Sequence, residues 1–497
     1  MKKIILLSLI ATYTSAQHYF DKVIATNQNN ISTIDHPAIE IKDSVFCFIR
    51  NEYRNYYGFS ESLLRMDQEG KVISSDLYLD TLNPYWILDA NYVGNKILTC
   101  GVKQLKDEGK RIIMYGTLNA NMDTVWTKTI TSQNNYPGVY KITRLNNGNI
   151  AIVGEDTHIR PTGGAYFENN GAILILADSI GNILKYIHFP KRDTNSLEGL
   201  NYVIQVRSGD IYCVGTVKNG TSYFKGLIIK LNKDGDFIWR KEIEKSAYGY
   251  YLRYCKELLN GNIQIVGAKY RPFFLNDAQV WLSSIEMDSS GKLVSEKNIF
   301  NEHLTYYYYC TEDKYGNIVC ASAVAHDDTS SAKGYLIKLS STGDSIWKRE
   351  FTRGWKDRDE VFLNIANAED GGYYLTGYNW VSGDNSSKAW VVKVDSNGCV
   401  VPGCNTAVNV EKEYYKNLFH LFPNPVDDYL IIYLNDEDLQ DRRYMLRCFD
   451  QNGKLVLTQE IGGRKTNVEV GSLPSGMYFY QIGDGRKLIQ SGKLVKM

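Results

Sequence analysis

The sequence predicts an all-β protein: a seven-bladed β-propeller of four-stranded blades, its ring closed by the N-terminal strand, followed by a small immunoglobulin-like β-sandwich. Three observations lead there. A turn-plus-strand phrase recurs along the chain at a spacing of about fifty to sixty residues, the mark of a repeat architecture. The composition, 37 tyrosines against 10 prolines in 497 residues, favours strands over disorder or long helices. The last eighty or so residues leave the repeat and break into short alternating strands between turns.

The phrase reads NGNIAIVGE from Asn147, SGDIYCVGT from Ser208, NGNIQIVGA from Asn260, YGNIVCASA from Tyr315 and DGGYYLTGY from Asp370, with weaker copies DSVFCFIRN from Asp43 and GNKILTCGV from Gly94. A second phrase follows each, such as GLIIKLNKDGDFIWRKEI from Gly226 or GYLIKLSSTGDSIWKREF from Gly334. Each unit therefore reads as four antiparallel strands: a first strand, a tight turn, the Gly-Asn-Ile strand, a variable insert, and a hairpin turning through a glycine. Such units bury their faces only against neighbours, which is how a propeller is built. Asn232-Lys233-Asp234-Gly235-Asp236 superficially resembles a calcium loop, but it lacks the distal glutamate and its sister copies vary, so a turn is expected there.

The fourth strand carries Trp-x-Lys/Arg-x-apolar at Trp126, Trp239 and Trp347. The seventh unit, KVDSNGCVVPGC at Lys393 to Cys404, has Pro402 where those units have tryptophan, and proline ends a regular strand. Phe20-Asp21-Lys22-Val23-Ile24 has an aromatic, a lysine and an apolar residue at the same spacing. This segment is expected to supply the missing strand and remove an exposed edge. Cys399 and Cys404 are close enough in sequence to pair across a tight turn, a clip worth about 2 kcal/mol by loop entropy. Nine cysteines is an odd count, so at least one thiol is unpaired; Cys213 and Cys320 sit in apolar runs as small hydrophobes. No C-x-x-C pair exists to suggest zinc or redox chemistry.

Residues 1–16 read as a secretory signal peptide: Lys2 and Lys3, an apolar run from Ile4, and small residues Thr14-Ser15-Ala16 before Gln17. The run is too short to span a membrane, and no other stretch is long enough. The propeller is expected over 17–404, a polar linker over 405–417 and the sandwich over 418–497. Lys+Arg and Asp+Glu are 56 each, which gives no basis for a nucleic-acid partner.

Pro423-Asn424-Pro425, Asp450 with Asn452-Gly453, Leu473-Pro474-Ser475-Gly476-Met477-Tyr478 and the terminal Lys493-Leu494-Val495-Lys496 occur in that order behind the signal peptide. This segment closely resembles the type A C-terminal sorting domain of the type IX (Por) secretion system. The resemblance covers about the last sixth of the chain. It implies export through the periplasm to the outer-membrane surface or exterior of a Gram-negative cell, with the secretion machinery as a partner. The carried-over sorting residues are Pro423, Asn424, Pro425, Gly453, Gly476, Tyr478, Lys493 and Lys496.

The resemblance gives an address and no activity. The seven histidines form no H-E-x-x-H and no short metal spacing, and G-x-S-x-G is absent. His326-Asp327-Asp328 sits in an insert and reads as a solvated loop. Ser341 to Trp347 only mimics a sialidase Asp-box, and three tryptophans are too few for a quinoprotein propeller. No cofactor or metal is expected. The inserts between second and third strands share a face with the inter-blade connections, and aromatics recur on that face: Tyr166, Phe167, Tyr223, Tyr270, Phe273, Phe274, Trp355 and Trp380. Rigid aromatics on loops suit a ligand face, although each one could equally pack on its blade. The reading is a binding protein for a glycan, peptide or surface partner. The alternatives are an extracellular hydrolase or lyase using acids near the central channel, such as Glu155, Asp156 or Asp359, and a structural envelope component.

Overall fold

The structure, a computed structural model, describes residues 20–24, 30–53, 58–77, 85–105, 110–132, 136–159, 167–190, 196–219, 223–245, 248–271, 280–301, 309–324, 332–351, 358–381, 386–400, 419–434, 443–451, 454–483 and 488–497. The chain divides into two compact units, Met1–Cys404 and Asn405–Met497. Every element among the described residues is a strand.

In the first unit, five separate sheets each hold four antiparallel strands, and the four follow one another in sequence. The sheet Gly138–Arg144, Ile150–Ile159, Phe167–Ala177, Ile183–Pro190 is typical. This is a propeller-like arrangement. A nine-stranded sheet draws on both ends of the unit, in the order Arg358–Asn367, Tyr373–Val381, Ser386–Val394, Asn30–Thr33, Ser44–Tyr53, Gly58–Asp67, Val72–Leu77. In addition, Ile39–Ile41 pairs with Ser44–Tyr53. Phe20–Ile24 pairs antiparallel with Ser386–Val394, from Phe20 opposite Lys393 to Ile24 opposite Ala389. Pro402 lies outside the described residues.

The cores lie between consecutive sheets. Val153 and Leu174 of one sheet cluster with Leu200 and Leu227 of the next. Within the nine-stranded sheet, Tyr374 and Val391 from one end of the unit cluster with Val45 and Leu64 from the other, and Phe20 belongs to that cluster. Each fourth-strand tryptophan packs on a turn glycine of the following sheet. A Cβ on Gly181 would come within 2.5 Å of Trp126, on Gly291 within 3.1 Å of Trp239, and on Gly398 within 2.9 Å of Trp347. Phe20 meets Gly70 in the same way, with the ring 2.5 Å from where a Cβ would be.

Third-strand lysines tie three of the sheets internally. Lys230 pairs with Asp210 at 2.9 Å, Lys338 with Asp313 at 2.7 Å and Lys393 with Asp370 at 2.8 Å, anchoring the turn that precedes the second strand. The calcium-like loop spends its oxygens on its own backbone: Asn232 Oδ1 accepts from the amides of Asp234 and Asp236 at 2.9 and 2.8 Å. That is an Asx turn.

In the second unit, a three-stranded sheet (Phe419–Phe422, Tyr429–Leu434, Lys465–Glu469) and a four-stranded sheet (Leu455–Ile461, Tyr444–Phe449, Gly476–Gly483, Leu488–Lys496) share one core. Leu430 and Ile432 come from the first, and Leu446, Ile482 and Leu494 from the second.

Candidate functional site

The glycine that ends the repeat phrase has a structural cause. Opposite Gly101, Gly154, Gly215, Gly267 and Gly377 the first strand of the sheet shifts register by one residue, a β-bulge. The bulge drives a first-strand carbonyl onto the glycine. A Cβ would stand 1.6 Å from the Trp86 oxygen at Gly101, 1.9 Å from the Gly138 oxygen at Gly154 and 1.9 Å from the Gly199 oxygen at Gly215. Only a residue without a side chain fits.

The inserted residues are Leu88, Tyr140, Asn201, Arg253 and Leu363, and all five line one cavity of about 800 Å³. The first strands of the other two four-strand groups reach the same cavity through Ile39 and Glu40 and through Tyr309 to Thr311. Bulges re-aim side chains without disturbing the rest of a ladder. Here a repeated backbone device presents five side chains of four kinds to a common space.

The wall is held rigid by internal partners. Lys141 Nζ lies 3.1 Å from Asp89 Oδ2, which also accepts from the Ile142 amide at 3.0 Å. Arg50 pairs with Asp35 at 2.7 Å. Glu40 accepts the Tyr374 hydroxyl at 2.9 Å and the Glu369 amide at 2.7 Å. Asn201 donates to the Leu252 carbonyl at 2.8 Å and accepts from Arg253 Nη1 at 3.3 Å, while the Arg253 guanidinium lies 5.7 Å from the Tyr309 ring centroid. The Tyr140 hydroxyl donates to Glu155 Oε1 at 2.5 Å. Burial, and after it the Glu155 charge, push this hydroxyl well above the ordinary tyrosine range, so it stays a donor.

Of the acids proposed near the channel, none lies in the cavity wall itself. Glu155 stands behind Tyr140; Asp156 is buried and accepts from Ser132 Oγ at 2.5 Å; Asp359 accepts from the Ala332 amide at 2.8 Å. Lining acids are instead Asp35, Glu40, Asp89 and Glu369.

The aromatic ligand face needs one correction. Tyr270 is 6 % exposed, sits in the core between sheets and takes the Phe224 amide on its hydroxyl at 2.8 Å, because the residue ends a second strand that is buried throughout. Tyr223 is half-buried against the same core. Trp380 is half-buried within Tyr373–Val381, opposite Asp359 and Ser387. Phe167 begins a strand, and Tyr166, Phe273, Phe274, Trp355 and His326 to Asp328 lie outside the described residues. Cys399 is disulfide-bonded, whereas Cys47, Cys100, Cys213, Cys255, Cys310, Cys320 and Cys448 are free; Cys404 lies outside the described residues.

In the second unit, two motifs about seventy residues apart become one element. Asn424 Nδ2 donates to the Lys493 carbonyl at 2.9 Å, and its Oδ1 accepts the Val495 amide at 2.9 Å. The Val426 amide donates to the Val495 carbonyl at 2.8 Å, and the Met497 amide to the Val426 carbonyl at 2.9 Å. The Pro-Asn-Pro segment, with cis bonds before Pro423 and Pro425, thus holds the outer edge of the last strand. Tyr478 is buried and its hydroxyl donates to the Pro474 carbonyl at 2.7 Å, closing the Leu-Pro-Ser-Gly-Met-Tyr turn, in which Gly476 takes a positive φ of 159°. Lys493 is exposed, whereas Lys496 is buried and donates to the Met497 carbonyl at 2.6 Å. Gly453 lies outside the described residues.

Comparison with known proteins agrees with this second unit. Residues 420–497 match the secretion system C-terminal sorting domain. No match is found among curated proteins. Among solved structures, a protein of unknown function from Dyadobacter fermentans is 10 % identical, over 75 % of this chain and 98 % of its own, with a TM-score of 0.40. An α-L-arabinanase from Penicillium chrysogenum, complexed with arabinobiose, is 11 % identical over 75 % of this chain and 99 % of its own, with a TM-score of 0.36. A β-xylosidase/α-arabinofuranosidase from a compost metagenome, in complex with xylotriose, is 10 % identical over 56 % of this chain and 98 % of its own, with a TM-score of 0.32. Scores this low carry no inference about this chain. The sorting domain does: the chain is a cargo of the type IX secretion system, addressed by its C-terminal unit to the cell surface or the extracellular space.

Proposed function

We propose that the first unit is a seven-bladed propeller, over 17–404, that works outside the cell as a binding protein with its ligand site in the central cavity. In this reading the nine-stranded sheet is two blades bridged by Asn30–Thr33. Phe20–Ile24 is the fourth strand of the last blade and closes the ring, which the Phe20–Gly70 contact supports. A Cys399–Cys404 disulfide then clips the blade before the linker. The sorting unit is an immunoglobulin-like sandwich.

One observation carries the binding reading: five register shifts bring two leucines, a tyrosine, an asparagine and an arginine to a single cavity of about 800 Å³, within the usual size range of small-molecule pockets. Three of the four wall carboxylates, Asp35, Asp89 and Glu40, are each engaged by a cation, an amide or a hydroxyl, which favours binding over acid–base catalysis. Purified protein incubated with polysaccharide and peptide libraries should retain ligand without releasing product. Turnover above a protein-free control would replace the binding reading with the hydrolase or lyase one.

A further inference from the structure

We infer that the ligand of the central cavity is an uncharged, hydroxyl-rich chain, a neutral saccharide; the inference rests on the cavity being the ligand site. Three features of the wall point to this chemistry.

The first is hydrogen-bonding capacity. The amide nitrogens of Asn91, Asn201 and Asn364 each give one of their two N–H groups to the carbonyls of Ile142, Leu252 and Asp35 at 2.9, 2.8 and 3.2 Å. Lys141 is paired with Asp89. The acceptors are likewise only partly used. A carboxylate offers about four lone-pair sites and an amide oxygen two. Asn364 Oδ1 takes the Ile365 amide at 2.9 Å, Asn201 Oδ1 takes Arg253, and the Asp35 carboxylate takes Arg50. The wall therefore offers both donors and acceptors, which matches a ligand whose hydroxyls both donate and accept.

The second is charge. Asp35 is matched by Arg50 and Asp89 by Lys141, inside the same wall. A charged group arriving at either pair would have to displace the partner already there, which is costly where the pair is shielded, as it is for Lys141 and Asp89. A ligand of hydroxyls adds bonds without displacing either partner.

The third is apolar surface. Tyr92, Tyr140, Tyr202 and Tyr309 share the wall with Leu88 and Leu363. Ring faces beside hydrogen-bonding edges suit the C–H faces of a sugar ring, with its hydroxyls turned to the rim of polar groups.

The test is calorimetric titration of the full-length protein with three sets of probes: neutral gluco-, manno-, galacto- and xylo-oligosaccharides; uronate-containing and sulfated oligosaccharides; and short peptides. Leu88→Trp and Leu363→Trp fill the cavity while keeping every wall hydrogen bond, and their thermal unfolding reports whether they fold. If either fails to fold, Tyr309→Ala, which removes a ring from the wall, is read instead. The expected result is binding of at least one neutral set, weakened by about tenfold or more in each folded variant. Binding of only charged oligosaccharides or peptides, abolished by the same variants, would overturn the saccharide inference and leave the cavity as the ligand site. If no probe binds in a way the variants diminish, both fall.

Discussion

The junction between Trp347 and Gly398 and the junction between Phe20 and Gly70 are built alike from distant parts of the chain. In both, an aromatic on one strand lies on the turn glycine of a hairpin it does not pair with, too close for any Cβ. They differ in how the ring is supported. Trp347 is half-buried, whereas Phe20 is only 5 % exposed, and Asp21 beside it takes the Trp390 indole N–H at 2.7 Å. The N-terminal version uses a smaller ring but buries it more fully and adds a side-chain tether. A strand that arrives from the far end of the chain has no hairpin to hold it, so side-chain contacts must do more of the holding.

Removing residues 17 to 30 should break this comparison most severely. Without that strand Ser386–Val394 loses one of its two antiparallel partners, and the single cooperative unfolding transition should be lost in calorimetry; an unchanged melting curve would refute closure by the N-terminal strand. Phe20→Ala should cost about 3–5 kcal/mol, the usual range for a buried phenylalanine, and more than Trp347→Ala, whose ring is partly solvated. Denaturant midpoints in the reverse order would show that burial is not what distinguishes the junctions. The smallest effect separates the ring contact from backbone strain. Gly70, Gly398 and Gly261 have φ of 74°, 75° and 83°, but only the first two face a ring, and nothing lies within 4 Å of a Cβ at Gly261. Gly261→Ala should cost about 1 kcal/mol for the left-handed backbone alone. Gly70→Ala and Gly398→Ala should each cost about 1–3 kcal/mol more, as read by chemical denaturation.

The repeat was legible because every unit needs the same turn and the same buried strand. Phe20 was legible because it completes a pattern that Pro402 interrupts. The cavity wall was not: Leu88, Tyr140, Asn201, Arg253 and Leu363 have no chemistry common to all five and fall in the first strand, the least regular part of each unit. The usable signal was the phrase-final glycine, which marks where the opposing strand bulges. Loop aromatics misled in one case for a physical reason, since Tyr270 sits at a strand end and its ring turns inward to Tyr251, 6.2 Å away. The sorting motifs could be recognised in the sequence, but not the reason for them. That Asn424 grips the backbone on both sides of Leu494 is visible only once the two segments are brought together.

That grip has a consequence for the order of events in the cell. Asn424 is synthesised well before the residues it holds, and Val495 and Met497 complete the pairing with Val426. A polypeptide whose synthesis stops short of Lys493 lacks the backbone that Asn424 and Val426 hold, however much of the strand before it has been made. The sorting unit is therefore sealed late, by the meeting of its opening and closing segments.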